Sequence, residues 1–89
     1  MAQSTPTRDE VEALMVQLIS EIAGIPPTDV VAGATVETEL RLESVAFIEL
    51  QVAIEDTYGI ELDPIRIVEL NEFGAIVDYV HRSAAARCT

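Results

Sequence analysis

The 89-residue chain carries sixteen acidic residues against five arginines and no lysine, for a formal charge of −11 and a pI near 4.1. A chain of this length supports one core, burying about 60–65% of the surface its unfolded form exposes, and excludes two domains. Its acidity excludes nucleic acid, whose phosphate backbone demands a cationic face, and argues against anionic membranes. Basic protein surfaces remain as the partners this field attracts.

Leucine, isoleucine and valine are plentiful while aromatics make up only 4%. The core is therefore aliphatic. The spacing of these residues predicts an all-α fold, a small four-helix bundle with a long loop between the first and second helices and a short third helix. The single cysteine, Cys88, can form neither an internal disulfide nor a metal site by itself, which fits a reducing compartment. The N-terminus lacks the basic start and apolar run of a secretory signal, and no stretch reaches the roughly 18 apolar residues of a membrane span. The expectation is a cytoplasmic monomer.

In chain order, Met1 to Pro6 form a polar, proline-ended tail. Thr7 and Glu10 then make a capping box, and Val11, Leu14, Met15, Leu18, Ile19 and Ile22 follow at helical spacing until Gly24, Pro26 and Pro27 end the first helix. From Ile25 to Arg41 no period is sustained. A connection of this length in a compact domain must be pinned or functional, and Ile25, Val30, Val31, Val36, Leu40 and Leu42 are the candidate pins. The second helix runs from about Ser44 to Tyr58 and stops at Gly59. In the third, Asp63 caps, Pro64 takes the first position, and Ile65, Val68 and Ile67 face inward. Asn71 is the expected cap of a fourth helix whose apolar face is Phe73, Ile76, Val77 and Val80, with Gly74 weakening it by roughly 1 kcal/mol relative to alanine. The ordered domain spans 7–82, with flexible tails at 1–6 and 83–89.

The second helix carries two apolar lines. Phe47, Leu50, Ile54 and Tyr58 recur at the spacing of one face, and Val45, Ile48 and Val52 form another beside Glu49, Glu55 and Asp56. A small domain needs one such line for its core, so the second marks a surface for other molecules. Between Glu43 and Asp63 there is no basic residue to offset the acids. Ser44 heads both lines. Taken locally, it reads as an unmodified helix cap.

The layout of helix, long loop, serine-headed acidic helix, short helix and final helix resembles the acyl carrier proteins. The resemblance rests on two blocks, LRLESVAFIELQVAIEDTYGIELD and LNEFGAIVDYV. It implies that Ser44 carries 4′-phosphopantetheine, attached as a phosphodiester by a phosphopantetheinyl transferase using coenzyme A, with acyl groups held on the arm as thioesters. The implied partners are an acyltransferase, a ketosynthase or acyl-activating enzymes with basic docking patches. Glu43, Val45, Ile48, Glu49, Val52, Glu55 and Asp56 would form the docking face. Val45, Ile48, Phe47 and Leu62 are placed to admit a short apolar chain. The chain would be no enzyme itself, since no nucleophile and base pair, metal cluster or phosphate loop can be assembled from its residues.

The site departs from the family's usual Asp-Ser-Leu, having Glu43, Ser44 and Val45. It also lacks the glycines that precede the serine in peptidyl carriers. Acyl cargo is therefore favoured over aminoacyl or peptidyl cargo, in a polyketide or fatty-acid pathway, the former suggested by the altered site and by the absence of lysine. The alternative is a four-helix adaptor that binds a partner through the second helix without the arm. His81, near the end of the last helix, is read as placed by the helix dipole rather than as a ligand. Tyr58 and Tyr79 are read as core edges, and Arg41 as a solvated charge or a phosphate contact.

Overall fold

The computed structural model describes residues 6–35 and 44–88, and for Ser44, Arg87 and Cys88 the backbone alone. Four helices follow in order: α1 (Arg8–Ala23), α2 (Ser44–Tyr58), α3 (Pro64–Leu70) and α4 (Phe73–Cys88), with a 3-10 turn at Pro27–Asp29 after α1. Among the described residues there is no strand, only an isolated bridge between Thr35 and Glu72. The fold is the small all-α bundle that the spacing predicts.

α1 begins and ends as its sequence dictates. The Thr7 hydroxyl accepts the Glu10 N–H at 3.1 Å while the Glu10 carboxylate accepts the Thr7 N–H at 3.0 Å. At the other end Gly24 adopts φ 71°, a left-handed conformation that glycine enters without a side-chain clash. Val11, Met15 and Ile19 project from α1 into a core shared with Leu50 and Ile54 of α2 and with Phe73, Ile76, Val77 and Val80 of α4. Burying each such side chain contributes about 1.5–3 kcal/mol.

The loop after α1 is pinned, in part by residues other than those expected. Val30 and Ala34 are buried and Ile25 packs half-buried against the core, but Val31 is 54% exposed. The expected pins Val36, Leu40 and Leu42 lie outside the described residues, as does the tail at 1–5. The same loop supplies the cap of α4. The Phe73 N–H donates to the Ala34 carbonyl and the Gly74 N–H to the Ala32 carbonyl, both at 2.8 Å. Two helix-start donors are satisfied by loop backbone, which must come close to provide them. A Cβ at Gly74 would stand 3.2 Å from the Ala32 oxygen and 3.3 Å from its Cβ. Glycine in the first turn of α4 is thus a packing requirement.

Four expectations are corrected. Asn71 does not cap α4; it ends α3 with φ 61° and ψ −40°, and the Glu72 N–H turns back to the Leu70 carbonyl at 2.6 Å, a γ-turn centred on Asn71. Its side-chain oxygen is buried without a hydrogen-bond partner. In α3, Asp63 caps as expected, its carboxylate accepting the Ile65 N–H, but only Ile67 is buried; Ile65 and Val68 are 69% and 49% exposed. Ile67 and half-buried Leu70, three residues apart, share the face that meets the core, and Ile65 and Val68 lie off it. α4 continues through Ser83 to Cys88, with Ala84 buried, where a loose end is expected. His81 consequently lies in the middle of a helix, away from the terminal turn where a dipole acts.

Candidate functional site

α2 separates its two apolar lines onto opposite sides. At about 100° per residue, Leu50 and Ile54 fall together and are 7% and 1% exposed, flanked by half-buried Phe47 and Tyr58. Opposite them Val45, Ile48, Glu49, Val52 and Asp56 share roughly a third of the circumference. Val45, Ile48 and Val52 are 69%, 58% and 48% exposed, and Glu49 and Asp56 are exposed as well. No basic side chain among the described residues pairs with either acid.

Burial of Tyr58, together with the charge of Glu10, raises its phenol above the usual range. Ser44 is the first described residue of α2. Arg41 and Glu43 lie outside the described residues. A helix start carries partial positive charge, which favours an added phosphate. A serine there supplies the hydroxyl that a phosphodiester needs, with exposed Val45 beside it, so these residues fit a phosphopantetheine group.

Glu55 departs from its expected place on the exposed face. It is half-buried, and its Oε2 accepts the Leu62 N–H at 2.8 Å. Gln51, one turn earlier, donates from Nε2 to the Leu62 carbonyl at 3.2 Å. The Tyr79 hydroxyl, on α4, accepts the Asp63 N–H at 3.0 Å. Tyr79 therefore has a bonding role beyond edging the core. None of these three roles is legible from spacing, because each depends on how the α2–α3 connection folds back.

The family described as "Phosphopantetheine attachment site" matches residues 13–80. An acyl carrier protein of Rhodococcus erythropolis is 29% identical over 79 residues, 89% of this chain and 87% of the relative. A meromycolate extension acyl carrier protein of Mycolicibacterium smegmatis is 28% identical over 76 residues, 85% of this chain and 77% of the relative. An acyl carrier protein of Acidothermus cellulolyticus is 28% identical over 74 residues, covering 83% and 88%. No helix among the described residues is long and apolar enough to cross a membrane. With the family match spanning most of the chain, the protein belongs to the acyl carrier family, whose members carry covalent 4′-phosphopantetheine.

Proposed function

We propose that Ser44 is the attachment serine and that the exposed face of α2 delivers the loaded arm to partner enzymes. When bound, the arm supplies a thiol that holds acyl groups as thioesters. The chain's own residues anchor, present and dock, and the bond-making chemistry belongs to the partners. The observation that carries this reading is the coincidence, on one helix, of a serine at the head and an outward apolar face edged by exposed acids. Glu49 and Asp56 attract a basic patch on the incoming enzyme, and Val45, Ile48 and Val52 lose water against it. The M. smegmatis relative is named for meromycolate extension. That name supports a growing acyl chain as cargo, assembled by the extension chemistry common to fatty-acid and polyketide pathways.

Incubation with a broad-specificity phosphopantetheinyl transferase and coenzyme A, read by intact mass, tests the assignment. One phosphopantetheine should be added to the wild-type chain and none to Ser44→Ala, with unchanged circular dichroism. Addition that survives the substitution moves the site elsewhere. A wild-type chain that no transferase modifies favours an adaptor that binds through α2 alone.

A further inference from the structure

The connection from α2 to α3 is held chiefly by side chains. The Gly59 and Ile60 N–H groups close α2 on the Glu55 carbonyl at 2.8 and 3.2 Å. Beyond them, both backbone groups of Leu62 are taken by α2: its N–H by the Glu55 carboxylate and its carbonyl by the Gln51 amide. Gln51 and Glu55 are four residues apart, so their side chains stack on one flank of the helix. Acceptor and donor face the donor and acceptor of a single residue. The side chain of that residue, Leu62, is 6% exposed and belongs to the core.

We propose that Glu55 is a positioning residue which, with Gln51, latches Leu62 into the core, and that it contributes little to the docking charge of α2. A carboxylate accepting a backbone N–H makes a charge-assisted bond, about twice as strong as a neutral one. Turning Glu55 outward toward a partner's cation would break that bond and leave a buried N–H unpaired. Among the described residues, Glu49 and Asp56 have no such tie. The three acids of α2 therefore divide, two meeting partners and one fixing how often Leu62 leaves the core to make room for an apolar cargo. The cargo part rests on the carrier reading, and the latch itself does not.

Amide hydrogen exchange on the unloaded protein tests the latch without requiring the arm. In Glu55→Ala the Leu62 amide should exchange about tenfold faster or more, while the Val77 and Val80 amides, deep in α4, keep their protection and certify the fold. Glu55→Gln keeps an acceptor oxygen and should restore most of the Leu62 protection. The second readout is the KM of the phosphopantetheinyl transferase for each variant at low ionic strength. Glu49→Gln should raise it about twofold, and Glu55→Gln, the same change of charge, should leave it at the wild-type value. Wild-type exchange at Leu62 in Glu55→Ala, or a KM for Glu55→Gln as high as for Glu49→Gln, overturns the proposal. If the transferase leaves the wild-type chain unmodified, the carrier reading fails, and the exchange result alone decides the latch.

Discussion

α2 and α4 are nearly equal in length and use their apolar residues in opposite ways. α4 turns Phe73, Ile76, Val77, Val80 and Ala84 into the core, none above 3% exposed. α2 commits Leu50 and Ile54 to the core and leaves Val45, Ile48 and Val52 at 48–69% exposure. A helix selected only for stability would carry polar residues at those positions. The difference separates a helix that holds the bundle from one that, in the function proposed above, also serves an interface, and stability and transfer should divide along the same line.

The largest effects should come from the inward side. Phe73→Ala should cost about 3–5 kcal/mol and Ile54→Ala about 2–5 kcal/mol in urea unfolding, because each leaves a cavity in a core built from few side chains. Val52→Ala and Ile48→Ala should change stability by less than about 0.5 kcal/mol. On a basic partner enzyme, however, they should raise KM about fivefold at every salt concentration, since desolvated contacts act largely independently of screening. Glu49→Lys should act most at low ionic strength, its effect shrinking as the screening length falls to about 8 Å. Equal stability losses for Val52→Ala and Ile54→Ala would erase the distinction between the two faces.

Smaller effects arise where the ends of α3 and α4 meet the loops. Helix propensity alone says that Gly74→Ala stabilises by about 1 kcal/mol. The approach of Ala32 to that position reverses the sign, because the atom in the way is a backbone oxygen that itself caps α4. Gly74→Ala should therefore lower the Tm. Asn71→Gly should raise stability by about 1 kcal/mol, since it relieves a positive φ and removes a buried unpaired oxygen, offset in part by greater freedom in the unfolded chain. Thermal unfolding of both variants against wild type checks the two signs together.

How much of this was legible in the sequence depended on the range of the interaction. The capping box of α1, the glycine stops after α1 and α2, the Asp63-Pro64 start of α3 and the two faces of α2 are set by residues within about two turns, and spacing reveals them. Asn71 was misread because its neighbours suit a helix cap, while the actual caps of α4 are carbonyls some forty positions earlier in the chain. Ile65 and Val68 look inward by composition alone. Only the shortness of α3 and its packing on α4 decide which of its faces touches anything. Glu55 was grouped with Glu49 and Asp56 on charge, and the fold-back of Leu62 onto α2 is what sets it apart. On α2 the exposed apolar face was readable, whereas the bond from Leu62 to Glu55 was not.

The smallest effect concerns the end where α1 meets α4. Arg8 donates from Nε to Asp78, from an Nη to Glu12 at 3.1 Å and from the other Nη to the Gly74 carbonyl at 3.3 Å. The hydrogen bond from Arg8 holds the Asp78 carboxyl below the usual carboxylate range, and the Thr7 N–H bond does the same for Glu10. A carboxyl whose folded pKa lies below its unfolded value adds stability that is complete above the unfolded value near about 4. That stability is lost as the pH falls through the folded value. These two groups therefore pull the wild-type Tm down on acidification below about pH 4, against an opposing gain as protonation of the remaining acids relieves the self-repulsion of a chain at −11. The net slope mixes the two, so a single-site comparison isolates the bridge. Asp78→Asn removes the titrating group while keeping a polar side chain. Its Tm should lie slightly below wild type at pH 7 and approach it as the pH falls below about 4. Both groups are exposed, so the gap is small and should narrow further in high salt. A gap that stays constant down to pH 3 would show that Asp78 contributes through packing, and that charge does not tie α1 to α4.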